Sequence, residues 1–443
     1  MEQLVWLREQ RRPLLVFSLI GLLMLATAYL QSWSGMLDLL TVGAISAVMA
    51  LGLNIQWGYA GLFNAGVMGF AAIGGFACVI VSMPAVPTAW RAEVPGLPIP
   101  AGLSVLLAWG LLLGGGTGLW YAYRRLTLQP LWVKRLLFLL ALLLLYLLFR
   151  TLFSPAVTAI ERSEGVGTQS KYLGGLGLPI HLAWLVGGLM AAGAASLIGR
   201  ITLRLRADYL AIATLGISEI VIAALKNEGW LSRGSLNVNG LPPAVPSPVQ
   251  LQDWGMSQDA SLIFSKLLFL LLVLLVLGVA LFFSVRALNA PWGRMMRAIR
   301  DREVAASALG KDVVARHRQV FVLGSFLLGV GGAMLASKVL QFTPGEYTPL
   351  RYTFVIWVMV IVGGSGNNLG AVAGAMLIWF IWIQAEPLAG FLFGAIGQLL
   401  PDAQAALLAE RAPQMRTLVM GLILLLMLRF APGGLLPERV RRS

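Results

Sequence analysis

Long apolar runs dominate this chain, and short polar stretches separate them. Runs close to 20 residues occur at 14–31, 37–57, 61–83, 101–123, 136–153, 179–199, 207–225, 263–285, 319–340 and 414–431. A helix rises about 1.5 Å per residue and needs about 20 residues to cross roughly 30 Å of hydrocarbon. Each run therefore predicts one crossing. A further stretch, 351–386, is broken by Gly363-Gly364-Ser365-Gly366-Asn367-Asn368 and counts as two. The pattern predicts an all-α polytopic membrane protein of about 12 spans with discontinuous helices. The number falls to 11 if residues 1–28, with an apolar stretch ending in Ala26-Thr27-Ala28, are a cleaved signal peptide. We expect an uncleaved first span.

Two segments depart from regular helix. One runs from Asn54 through Gln56, Gly58, Gly61 and Asn64 to Gly66; the other is Gly363 to Gly370. From Arg351 to Val362 the helix is about 18 Å long, too short to cross. The glycine loop is thus expected at membrane depth, where irregular backbone survives only if buried in protein or lining a watery cavity. Paired, glycine-interrupted segments point to a solute path in transporters. This makes Asn54, Gln56, Asn64, Gly66, Gly364, Ser365, Asn367 and Asn368 candidate path residues. Close packing is the competing reading, since Gly366, Gly370 and Gly374 recur every fourth residue. Glu219, inside an apolar run, joins the candidates. A carboxylate in a span costs a few kcal/mol by insertion scales unless it is paired or faces a polar interior. Whether it touches solute or is structural stays open.

Polar connections set the direction. Residues 286–318 hold eight Lys or Arg and three Asp or Glu, and cannot sit in lipid. If the N-terminus is cytoplasmic, the loops on its side collect two thirds of the 33 basic residues, among them Arg8, Arg11, Arg12, Arg200, Arg204, Arg206, Arg439, Arg441 and Arg442. Orientation follows this bias. Within 286–318 a short helix, Glu303 to Leu309, has small residues on one face and stops at Gly310, a natural left-handed terminator. It offers a place for another protein to push.

Composition narrows the class. The chain is 58% hydrophobic and 12% charged, with mean hydropathy +0.82, against about 25% charged in soluble domains. The net charge of +14 reflects loops beside anionic lipid rather than nucleic-acid binding. The single cysteine, Cys78, lies in an apolar run and excludes an internal disulfide. No phosphate-binding G-x-x-x-x-G-K-[ST] loop and no H-E-x-x-H occur, and we find no catalytic constellation, metal set or cofactor site. The chain reads as a transport subunit, not an enzyme. His317, among arginines, reads as a solvated loop residue. The pair of runs within 101–153, almost pure Leu, Gly and aromatic, reads as peripheral, lipid-facing helices. Outer loop 226–262 either meets a soluble partner or covers helix ends.

Four stretches resemble a known family: LGLNIQWGYAGLFNAGVMGFAAIGGF (51–76), RLRADYLAIATLGISEIV (204–221), AIRDREVAASALGKDVVARHRQVFVLGSFLLGVGGAML (298–335) and MVIVGGSGNNLGAVAGAML (359–377). Taken in this order they are similar to the M-type permease subunits of branched-chain amino-acid (LIV-type) ABC importers. The Glu-x-Ala-Ala-x-x-x-Gly loop is the most specific part. The usual I-x-L-P tail after its glycine is absent, and the Gly-rich outer-loop motif is altered at 233–239. The resemblance implies one permease domain over 1–443, an ABC importer permease core plus an insertion over 84–177 that carries two peripheral spans, in the bacterial inner membrane with both termini cytoplasmic. It implies 286–318 as the coupling loop, with Arg302, Glu303, Ala305, Ala306, Ser307 and Gly310 at an ATPase groove. The partners it implies are a second homologous permease subunit, two ATP-binding cassette subunits and a periplasmic solute-binding protein. The expected cargo is a branched-chain or other neutral amino acid. Urea or a short amide is the alternative within the family; a self-sufficient carrier or channel and a transport-free scaffold lie outside it.

Overall fold

In the computed structural model, residues 2–126, 130–163, 171–398, 401, 404 and 410–438 are described. Arg439, Arg441 and Arg442, which the charge pattern assigned to the basic face, lie outside them. Most of the described residues are helical. Ten helices among the described residues are long and apolar enough to cross a membrane. Two shorter apolar helices, α3 (Val67–Ser82) and α15 (Pro349–Gly363), sit at the two interruptions. Together these make the twelve expected segments. At 16 and 15 residues the short pair reaches only about 24 and 22 Å.

The long helices are α1 (Glu2–Leu30), α2 (Trp33–Leu53), α5 (Ala101–Arg125), α6 (Leu131–Arg162), α7 (Ile180–Thr202), α8 (Ala207–Asn227), α11 (Gln258–Asn289), α14 (Val313–Val339), α16 (Asn368–Gly397) and α17 (Met415–Phe430). Short helices α4 (Pro87–Trp90), α9 (Gly229–Ser232), α10 (Pro248–Asp253), α12 (Pro291–Asp301) and α13 (Glu303–Ala308) fill the connections. The centre is α14, packed against α2, α3 and α7. Lipid tails give apolar helices no hydrophobic reason to associate, so close van der Waals approach must hold them. Small residues on α14 permit it. A Cβ on Gly324 would lie 2.5 Å from the Gly52 carbonyl of α2, and one on Gly329 would lie 2.5 Å from the Gly187 carbonyl of α7. Gly332 backs onto Ala71 of α3.

Helices α5 and α6 pack on each other as a largely exposed hairpin. Its roots are tied down by the Ala85–Gly174 bridge and by the Trp90 Nε1–H bond to the Leu173 carbonyl at 2.8 Å. At the end remote from the basic loop, α2, α11 and α14 meet through Asp38, which pairs with Lys266 at 2.6 Å and Lys338 at 3.1 Å. The connections at this end form a two-stranded antiparallel sheet, β1 (Val238–Asn239) with β2 (Gln341–Phe342), in register Val238 to Phe342. Val238, Leu241 and Leu251 are buried there, so loop 226–262 does cover helix ends. His317 corrects an expectation: it lies in the second turn of α14 and is 8% exposed, packed rather than solvated.

Candidate functional site

The first interruption follows from α2 itself. After Leu53 the helix widens into a π-helical turn, Asn54–Tyr59, and then leaves helical geometry until Gly66. Such turns release backbone groups that side chains must satisfy. Here amides do so. Asn54 is fully buried; its Nδ2 donates to Asn368 Oδ1 at 3.0 Å, and its Oδ1 accepts from the Gly366 N–H at 2.9 Å. Gln56, equally buried, donates to the Phe321 carbonyl at 2.9 Å and to Ser325 Oγ at 3.2 Å, both on α14. Asn64 donates to Gln56 Oε1 at 2.8 Å and accepts from the Gly66 N–H at 2.8 Å. Thr214 of α8 accepts from the Ala65 N–H at 3.0 Å. Trp357 of α15 donates to the Asn64 carbonyl at 3.0 Å, and its ring stacks on Phe63 at 4.2 Å.

The second interruption is a tight turn between α15 and α16. Gly364 and Gly366 both have positive φ (112° and 80°), which L side chains rarely adopt. Asn367 caps α16, its Oδ1 accepting from the Leu369 and Gly370 N–H groups at 3.0 and 3.3 Å. Ser365 is half-buried beside them. Seven of the sequence-selected residues thus meet in one place: Asn54, Gln56, Asn64 and Gly66 on one side, Gly364, Asn367 and Asn368 on the other. In this conformation their amides bond to protein rather than to open space, and together they lace the two interruptions.

Glu219 is elsewhere. It is exposed on α8, on the face that also carries Ile212, Gly216 and Ala223, opposite buried Thr214 and Ser218. Among the described residues it has no ion-pair or hydrogen-bond partner. The described residues therefore do not supply the polar surroundings that a carboxylate in a span needs.

On the basic face α12 and α13 project from the ends of α11 and α14. Around the six-residue α13, Arg302, Glu303, Ala305, Ser307 and Gly310 are exposed, while Ala306 turns inward and is buried. Gly310 has φ 76°, the left-handed stop its position suggested. The prominent apolar groups are Val304, 84% exposed, and Leu309, 81% exposed. A groove of about 760 Å³ beside α13 is lined by Arg204, Arg206, Arg300, Glu303, Asp312 and Arg318, among others.

One residue joins this face to both interruptions. Arg300 of α12 donates to the Gly58 carbonyl in the π turn and to Glu438 Oε2 at 2.8 Å. Glu438 belongs to a segment, 431–438, that lies along the glycine loop: the Leu435 N–H donates to the Val362 carbonyl at 2.8 Å and the Leu436 N–H to the Gly363 carbonyl at 3.0 Å. Burial alone disfavours the Arg300 charge. Hydrogen bonds and charge from Glu438 and Asp301 outweigh it and lift the guanidinium above its usual range, so it stays protonated.

The description "branched-chain amino acid transport system / permease component" matches residues 35–174 and 166–428, most of the chain. The chain belongs to this permease family. The permease is 31% identical over 207 residues to the high-affinity branched-chain amino acid transport system permease protein LivM of Escherichia coli (strain K12), covering 44% of this chain and 48% of that one. It is 26% identical over 236 residues to the probable branched-chain amino acid transport permease protein LivM of Methanocaldococcus jannaschii, covering 53% and 62%. The xylose transport system permease protein XylH of Escherichia coli (strain K12) is 27% identical over 292 residues, covering 64% and 63%. The chain thus spans about half the length of the first curated relatives it matches. No solved structure matches it.

Sequence reasoning missed Arg300, Glu438, Val304 and Leu309. For the last two a signal was present: they are the only large apolar side chains between Arg302 and Lys311. For Arg300 and Glu438 there was none, because their contact joins positions 138 residues apart.

Proposed function

We propose that this permease is one of two related membrane subunits of an ABC importer that carries branched-chain or other neutral amino acids across the bacterial inner membrane. Two cytoplasmic ATP-binding subunits power it and a periplasmic binding protein delivers the solute. Both termini and the 286–318 loop are cytoplasmic. Val304 and Leu309 seat in a groove of the ATP-binding subunit, with Arg302, Glu303, Ala305, Ser307 and Gly310 at the contact and Ala306 holding α13 to the body. Asn54, Gln56, Asn64, Gly66, Gly364, Ser365, Asn367 and Asn368 form the gate of the path, and the exposed face of α8 presents Glu219 to the second subunit. The α5–α6 hairpin is peripheral to transport.

The observation that carries this reading is the Arg300 bridge. Movement of α13 moves α12, and Arg300 transmits it to the π turn and, through Glu438, to the glycine loop. The test is Arg300→Met in cells that depend on this chain for leucine import, with radiolabelled leucine uptake measured beside membrane abundance and recovery of the ATP-binding subunit. Uptake is expected to fall at least about tenfold, the loss of one or two charge-assisted hydrogen bonds, with abundance and recovery unchanged. Unchanged uptake would overturn the relay. The likeness to a xylose permease favours one other cargo, a neutral sugar. Xylose uptake in the same cells decides between them.

A further inference from the structure

A second cavity lies at the end of the molecule remote from the basic loop, inside this one chain. Its volume is about 440 Å³, within the range of small-molecule sites. The floor is apolar: Met49 of α2, Met68 of α3, Ala336 of α14 and Met359 of α15, all buried. The rim is charged. Lys338 lines one part, and Glu346, on the turn that leads into α15, lines another. Lys338 contacts Asp38, but Asp38 is already held by Lys266 at 2.6 Å, so this cluster keeps one surplus positive charge. Among the described residues Glu346 has no ion-pair partner. Trp379 of α16 also lines the cavity, and among the described residues its buried indole N–H has no hydrogen-bond partner. Buried donors are normally satisfied, and an orphan beside a cavity marks a place for a ligand acceptor.

The geometry points to a binding site for a zwitterionic α-amino acid with an apolar side chain. Its carboxylate faces Lys338, its ammonium faces Glu346, and its side chain lies on the methionine floor. This deepens the amino-acid reading above and rests on it. A sugar or a short amide leaves both rim charges unanswered. An amino acid with a charged side chain would bury that charge against Met49 and Met359, at high cost. The site is also tied to the gate. Met359 sits one helical turn before Gly363, so any shift of the glycine loop moves α15 and reshapes the floor.

Equilibrium binding to the purified full-length chain in lipid nanodiscs tests this, with radiolabelled L-leucine, L-leucinamide, 4-methylpentanoate and xylose as probes. Leucine is expected to bind saturably. Leucinamide lacks the carboxylate and 4-methylpentanoate lacks the ammonium; each is expected to bind about tenfold more weakly or less, the worth of one charge-assisted contact. Lys338→Gln should erase the preference for leucine over leucinamide, and Lys338→Arg should restore it. Glu346→Gln should erase the preference over 4-methylpentanoate. Asp38 keeps Lys266 in the Lys338 variants, so their fold is retained. Leucine binding that ignores both Lys338→Gln and Glu346→Gln overturns the site and leaves amino-acid import standing. The same holds if the isolated chain binds no leucine while cells import it through the assembled system. Saturable xylose binding without leucine binding overturns the amino-acid reading itself.

Discussion

Asn54 shows how much one buried amide can organise. Its carbonyl holds the Gly366 N–H and its NH2 holds Asn368, so a residue at the end of α2 fixes a turn more than 300 positions later. Asn54→Leu fills similar volume and leaves the Gly366 N–H buried without a partner. Such an orphan costs about 1–3 kcal/mol. The thermal unfolding midpoint of the purified protein is expected to fall, with leucine uptake falling alongside it. An unshifted midpoint would show that the two interruptions are not held by this amide. Glu219 is the opposite case. Among the described residues it bonds nothing, so Glu219→Ala is expected to leave the midpoint of the isolated chain within error, while recovery of the second permease subunit from co-expressing cells drops. Equal recovery would remove α8 from the subunit interface.

At the scale of elements, hydropathy was a faithful guide because a bilayer demands length and apolarity from each crossing. All twelve segments were legible, including the shortness of α15, which followed from counting residues before Gly363. The meeting of the two interruptions was half legible: amides and glycines advertised both, but nothing in the order of residues said that Asn54 would bond Gly366 and Asn368 rather than solute. Position 306 was read as a contact surface because alanine permits close approach, and alanine does so equally against its own chain. The segment 431–438 was invisible, since it is short, irregular and without periodicity, and it matters only through what it lies on. The central helix gives a sharp test of the packing argument. Gly332 of α14 meets the Ala71 backbone, whereas Gly278 of α11 has open space where a side chain would go. Gly278→Leu is expected to leave yield and thermal midpoint unchanged, helped slightly by better helix propensity. Gly332→Leu forces α3 and α14 apart, an overpacking cost of 1–3 kcal/mol or about that at least, and is expected to abolish recovery of folded protein. Equal behaviour of the two variants would refute close backbone approach as the basis of the bundle.

For the molecule as a whole, the direction of insertion decides whether the proposed chain of force exists at all. An ATP-driven push on α13 requires the basic loop to be cytoplasmic, and the excess of Lys and Arg there argues for it. Helix α11 makes the question measurable. It has 32 residues, about 48 Å, which exceeds the hydrocarbon thickness; its two ends must therefore face opposite compartments. Trp254, 72% exposed, precedes its start, and Leu309, 81% exposed, follows its far end beyond α12. The lone native thiol, Cys78, is fully buried, so the unaltered chain should take up no membrane-impermeant maleimide and single introduced cysteines report without background. Trp254→Cys is expected to label in intact spheroplasts, and Leu309→Cys only in inverted vesicles. Bound ATP-binding subunit should protect Leu309→Cys further, since that side chain is proposed to lie in its groove. Labelling with the sides exchanged would put α13 out of reach of any cytoplasmic motor. It would also place the Lys338–Glu346 cavity on the wrong side to receive solute from a periplasmic donor.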